Sequence, residues 1–306
     1  MSTDPASAAS PAAHILRSPA ALLLMVGALL GLNFPLGKLG GGAGVAPLVW
    51  AALISCGAAF VLMVTLALRR KPVALSAQHL RYFCVTALIS YAVPNALVFA
   101  AIPHLGSAYA AMLFTLSPMF TVALSFLAKL RVPKKLELTG IGIGFIGTIL
   151  VASARGEVGH VVDWTWIAIG VLVPLSLAIG NIYRTIDMPK NADTLVLAAG
   201  SNVVAAVLLV ALAGATGDLA SVPILATIPT MVLAQVAAAA AMFPLYFQLQ
   251  AVGGPVTLSQ IGIVAAAVGV IAGTLGFGER YPVIVWIGIA IIAIGISLTV
   301  RARLRA

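Results

Sequence analysis

Charge is what this sequence lacks most. Only 8% of its 306 residues are charged, where a soluble globular chain carries about 25%. An ordinary soluble domain is therefore excluded. Acids are the scarcest, with eight Asp and Glu against seventeen Lys and Arg. All eight (Asp4, Glu137, Glu157, Asp163, Asp187, Asp193, Asp218 and Glu279) fall in tails, loops or the ends of apolar runs. No carboxylate stands inside an apolar run, so the buried relay that proton-coupled carriers use is not written here. Flux driven by a substrate's own gradient is the corresponding expectation. Cysteine is nearly absent. Cys56 and Cys84 offer neither a metal spacing nor a disulfide framework. The four histidines are scattered. With no His-Glu-x-x-His motif and no paired intramembrane acids, a membrane-embedded enzyme lacks its chemistry. The chain is read as a non-enzyme with no cofactor.

What is present is apolar. The chain is 62% hydrophobic, with a mean hydropathy of +1.13. A membrane-crossing helix needs roughly 20 apolar residues, and ten runs qualify: 19–37, 47–68, 80–102, 105–128, 137–154, 164–185, 194–213, 229–250, 254–277 and 282–300. Connections are short. The longest, Gly214 to Ile228, has room for a helical turn. Residues 1–18 are Ser/Ala/Pro-rich and read as a disordered cytoplasmic lead without a cleavable signal pattern. The net charge of +9 is no nucleic-acid footprint, because the basic residues sit in short loops between apolar runs. Fourteen of the seventeen Lys and Arg fall on one side if the N-terminus is cytoplasmic, leaving Lys38, Arg155 and Arg280 on the other. The positive-inside rule then puts both termini in the cytoplasm.

The chain is also one half written twice. A shift of 148 positions lays Gly253–Val300 on Leu105–Ala152. It pairs Gly106 with Gly254, Gly140 with Gly288, Gly147 with Gly295, Asn33 with Asn181 and Phe99 with Phe247. Each half holds five spans, an odd number, so the copies insert upside down relative to each other. The expected fold class is an all-α integral membrane protein of ten transmembrane helices, built as two inverted five-helix repeats over 19–154 and 164–300. Inverted repeats of this kind mark secondary transporters, with the site between the halves near the bilayer midplane. A channel, which would want a ring of like groups, is the alternative, and an embedded enzyme a more remote one.

Three pieces resemble one family. The first span ends Gly31-Leu32-Asn33-Phe34-Pro35-Leu36-Gly37-Lys38. The fourth and fifth carry Pro118, then Gly140 and Gly147. The ninth and tenth carry Gly278-Glu279-Arg280, then Gly288 and Gly295. In their order and spacing these resemble the drug/metabolite transporter superfamily, EamA type, over roughly residues 19–300. The resemblance implies two inverted five-helix repeats and export, less often uptake, of small metabolites through a cavity between them. Two departures bear on the substrate subclass. Arg131 stands where the repeat places Glu279, and Leu30 stands where the family often has a bulky aromatic.

Polar groups at membrane depth are expensive, and they single out the candidate substrate-binding residues. Asn33 and Asn181 are repeat mates, and each amide offers two donors and two acceptor sites. Tyr91, Asn95 and Phe99 are spaced i, i+4, i+8 and share one helix face, suited to a polar head with an apolar tail. Tyr246, Gln260 and Lys38 complete the set. Each has a packing reading too: an interhelical hydrogen bond for the amides, a snorkelling cation for Lys38. Arg184 reads as a cytoplasmic loop cation and Glu279 as an organiser of its hinge. No metal site is expected. The expected partners are a small-molecule substrate and the lipid bilayer, with no nucleic acid. The protein is read as a monomer or weak homodimer in a bacterial inner membrane.

Overall fold

The computed structural model describes residues 18–70, 76–130, 135–153, 163–190 and 192–304. Most of the expected 1–18 lead, and Arg131 in the first hinge, lie outside them. Ten helical stretches follow in order: α1 (Pro19–Gly42), α2 (Pro47–Leu68), α3 (Ala77–Leu105), α4 (Ser107–Leu127), α5 (Lys135–Ser153), α6 (Trp164–Asp187), α7 (Thr194–Thr216), α8 (Pro229–Ser259), α9 (Ile261–Gly276) and α10 (Val283–Leu304). A 3-10 segment, Asp218–Thr227, fills the connection between α7 and α8. Among the described residues there is no strand.

Seven of these helices are long and apolar enough to cross a membrane: α1 to α4 and α6 to α8. The apolar parts of α5 (Leu138–Gly147), α9 and α10 (Val283–Gly295) are shorter, so the count of ten spans is not reproduced by length alone. Part of the shortfall is a matter of boundaries. Gly254 has φ 68° and ψ −179° inside α8, which breaks the helix, so Pro255–Ser259 continue into α9 rather than belonging to α8. Its repeat mate Gly106, between α3 and α4, has φ 83° and ψ 156°. Both are conformations that glycine adopts without penalty. The outer surface is apolar, with Phe60, Leu127 and Leu275 exposed, as lipid contact requires.

Prolines shape the helices that enclose the centre. Pro35 cannot donate to the carbonyl four residues back, and α1 is interrupted at Leu32. In α3 a π turn over Ala87–Ala92 precedes Pro94. In α4 a 3-10 turn over Phe114–Leu116 precedes Pro118. Pro118 has no N–H for the Phe114 carbonyl, which accepts from Ser117 N instead, and that carbonyl lies against Gly262 of α9, where a built Cβ would be 2.4 Å away.

Helix pairings repeat with the sequence. The main contacts are α1 with α8 and α9, α6 with α3 and α4, α2 with α7 and α8, α7 with α3, α4 with α9, and α5 with α10. Advancing every helix by five places returns the same set. The α5–α10 seam repeats it at residue level. A Cβ on Gly147 would meet the Gly288 carbonyl at 2.6 Å and the Ile292 nitrogen at 2.8 Å. One on Gly295 would meet the Gly140 carbonyl at 2.5 Å and the Gly144 nitrogen at 2.6 Å. Each contact is its partner shifted by 148. Small residues here let two backbones touch, which is how helices associate where lipid removes the hydrophobic drive.

Candidate functional site

The kinked helices leave a chamber between the two halves. The first half contributes Asn33 and Phe34 from α1, Ser90, Tyr91, Asn95 and Phe99 from α3, and Phe114 and Ser117 from α4. The second contributes Asn181 from α6, Met242, Phe243 and Tyr246 from α8, and Ser259, Ile261 and Gly262 around the α8–α9 junction. Six of the eight candidate residues line it: Asn33, Tyr91, Asn95, Phe99, Asn181 and Tyr246. Its free volume is about 60 Å³, well below the roughly 300–1,000 Å³ of small-molecule pockets, so a metabolite requires the walls to part.

Two candidates lie elsewhere. Gln260 is not among the lining residues, although Ser259 and Ile261 on either side are; a helix turns about 100° per residue, which takes the intervening side chain off that face. Lys38 lines a second cavity of about 640 Å³, bounded by α1, α2 and the end of α3, with Gly37, Trp50, Ile102 and His104. Phe99 belongs to both cavities, so its ring stands between chamber and vestibule. A Cβ on Gly37 would be 2.4 Å from that ring.

The end of the chamber away from Lys38 is closed by polar groups. Arg184 is fully buried, which corrects its reading as a loop cation. Its Nε donates to Gln250 Oε1 at 2.7 Å and its Nη2 to Asn181 Oδ1 at 2.7 Å. It also donates to the Ser90 and Tyr246 hydroxyls, and its guanidinium carbon lies 4.9 Å from the Tyr246 ring centre. Asn181 Oδ1 accepts further from Tyr246 at 3.4 Å, and its Nδ2 donates to Thr121 Oγ1 at 3.4 Å. Asn33 has a sparser setting. Its Nδ2 donates to the Leu30 carbonyl at 3.1 Å, and its Oδ1 accepts from Gln235 of α8.

Hydropathy hid this cluster, since a basic residue near a span end reads as a loop anchor. The periodicity carried the signal. Arg184 is i+3 from Asn181 and Gln250 is i+4 from Tyr246, spacings that put each pair on one helix face.

At the Lys38 end the charges are paired. Lys38 and Glu279 form an ion pair between α1 and the α9–α10 hinge. The Glu279 carboxylate also accepts from Ser107 N at 3.1 Å, Ser107 Oγ at 2.8 Å, Ala108 N at 3.0 Å and Tyr281 Oη at 2.8 Å. It therefore caps the N-terminus of α4, where free N–H groups and the helix dipole favour an anion. Burial pushes the Glu279 carboxyl up; the hydrogen bonds from Lys38, Tyr281, Ala108 and Ser107 outweigh it and hold it below the usual carboxylate range. The hinge role expected of Glu279 has this geometry behind it.

Residues 18–153 match the model of the EamA-like transporter family, which bears out the resemblance drawn from the motifs. A solved crystal structure, 16% identical, superposes with a TM-score of 0.60 over 92% of this chain and 97% of its own. At that identity it speaks for the fold alone. No curated protein matches the sequence significantly.

Proposed function

We propose that this drug/metabolite-type transporter, with the EamA-like family's match across its first half, is a secondary carrier working by alternating access between two inverted five-helix repeats. The observation that carries the reading is the chamber, whose walls come from both halves and which shares Phe99 with the Lys38 vestibule. The matched α5–α10 glycine contacts and the paired conformations of Gly106 and Gly254 support the repeat. In this reading all ten helices cross the bilayer, both termini are cytoplasmic, the Lys38 vestibule faces out and the Arg184 cluster closes the cytoplasmic end. The host membrane is a bacterial inner membrane, and the unit is a monomer or weak homodimer.

The cargo is a small polar or amphipathic metabolite, amino-acid-like. Asn33, Asn95 and Asn181 meet the polar head, and Phe99 with Phe243 meets an apolar tail. Export is the direction the family resemblance favours, and the substrate's own gradient drives it. Purified protein in liposomes tests this. Saturable flux, accelerated by substrate on the opposite side, is expected; unsaturable conductance points to a channel instead. Uphill accumulation under an imposed proton gradient alone would overturn the coupling. Labelling by a membrane-impermeant thiol reagent from outside, at a cysteine introduced at Arg303, would overturn the orientation.

A further inference from the structure

The polar cluster at the closed end of the chamber has more donors than acceptors and a charge with no counter-charge. Arg184 is fully buried and makes its hydrogen bonds to Ser90, Asn181, Tyr246 and Gln250, all neutral. Among the described residues no carboxylate pairs with it; the ion pairs there join Lys38 to Glu279 and Arg81 to Asp187. Neutral acceptors satisfy a guanidinium's geometry but leave its charge uncompensated in a low-dielectric surround, and buried charges are ordinarily paired. Two neighbours are also short of partners. The Tyr91 hydroxyl and the Gln250 amide nitrogen are buried and bond to nothing among the described residues. A guanidinium has five N–H donors, of which four contacts are accounted for here.

We infer that the transported molecule carries a carboxylate, and that Arg184 is the group that recognises it. Three features converge. Ser90, Asn181 and Tyr246, which hold the guanidinium, are themselves chamber wall, so an anion entering from the chamber reaches Arg184 by exchanging with them as acceptor. Tyr91, also on that wall, supplies a free hydroxyl. One guanidinium without another cation matches one negative charge, which favours a carboxylate over a phosphate monoester or a dicarboxylate. A planar carboxylate also suits the guanidinium fork. Beyond the cluster the chamber is lined by Phe34, Phe99 and Phe114 together with Asn33 and Asn95, so the molecule lies with its acid toward Arg184, the rest of its polar head against the asparagines and its side chain toward Phe99. The apolar group is thus the part that meets the aromatic ring between chamber and vestibule.

The inference rests on the carrier reading, and the experiment separates the two. The wild-type protein in proteoliposomes is assayed for counterflow with matched pairs: phenylalanine and phenylalaninamide, leucine and leucinamide, with 3-phenylpropionate and phenethylamine as carriers of one charge each. The acids are expected to exchange, and each amide or amine to do so at least about tenfold less well, the cost of leaving a buried donor set without its acceptor. Arg184→Gln keeps a hydrogen-bonding amide but removes the charge. It should weaken exchange of the acids by about tenfold or more and so shrink the acid-to-amide ratio, while Arg184→Lys recovers part of the acid exchange. Equal exchange of acids and amides by the wild type overturns the inference and leaves the carrier intact. So does acid exchange by Arg184→Gln at the wild-type apparent affinity. No saturable exchange of any of these compounds overturns both. The acid-to-amide comparison needs only the wild-type protein, so it decides the matter even where the variant does not fold.

Discussion

The two ends of the chamber are built from repeat mates and have opposite chemistry. At the Arg184 end, Ser90, Arg184, Tyr246 and Gln250 form one hydrogen-bonded cluster. Shifted by 148 positions, those four become Ala238, Leu36, Val98 and Ile102. The polar end is sealed. The apolar counterpart opens past Phe99 into a vestibule of about 640 Å³. A shared backbone plan thus sets where the ends are, and side chains decide which one is held shut. Hydrogen bonds inside a low-dielectric core are stronger and more costly to leave unmade than in water, whereas apolar contacts can part without leaving a group unsatisfied. The end closed by polar groups is therefore the one whose opening needs a replacement partner.

The most direct way to break this comparison is to give the Arg184 end the chemistry of the other. Arg184→Leu, which copies Leu36, removes the cation and strands its acceptors. Each buried acceptor left unsatisfied costs about 1–3 kcal/mol, and Arg184 holds several, so we expect transport to fall by about a hundredfold or more in counterflow, with the protein still monodisperse in detergent. Wild-type flux in this variant means the polar closure is irrelevant to the cycle.

The repeat-mate asparagines sharpen it. Asn181 joins Arg184, Tyr246 and Thr121, whereas Asn33, among the described residues, joins only Gln235 and a backbone carbonyl within its own helix. Asn181→Ala should lower apparent affinity by about ten- to a hundredfold, from a loss of about 1–3 kcal/mol. Asn33→Ala should cost several-fold at most. Equal effects would return the two ends to equivalence.

The α5–α10 seam is the place where the halves should behave alike. Gly147→Leu and Gly295→Leu each force a side chain into backbone atoms that cannot rotate away. Overpacking of this kind costs about 1–3 kcal/mol, and thermal unfolding in detergent should show similar losses for the two. A large inequality would mean the seam's matched contacts are not matched in energy.

The smallest expected effect concerns Glu279. Its carboxyl is held below its ordinary value of 4.5, so its contribution to stability is fully present above that pH and is lost as pH falls through the lower, folded value. Acidification should therefore lower the unfolding temperature of the wild type more than that of Glu279→Gln, whose neutral amide does not titrate. Parallel acid profiles for the two proteins would remove Glu279 as a charged clasp at the Lys38 end.

Much of this molecule was legible in local properties of the chain. Scarce charge and long apolar runs determined an all-helical membrane protein, because unpaired backbone is not tolerated in lipid. The spacing of Tyr91, Asn95 and Phe99 put them on one helix face, and that face lines the chamber. The repeat pairs Gly147 with Gly295 in the sequence, and their contacts follow the same shift. What only the tertiary structure decided is which polar groups meet. Arg184 reads as a loop cation to hydropathy, because a window average sees one charge near a span end and not the Ser90, Tyr246 and Gln250 that bury it. Gln260 looked equivalent to its neighbours until the helix rotation took it off the chamber face. Lys38 and Glu279 are 241 residues apart. Composition and period are sums over neighbours in sequence, while a buried polar group is stabilised by partners distant along the chain, and only the folded packing brings those together.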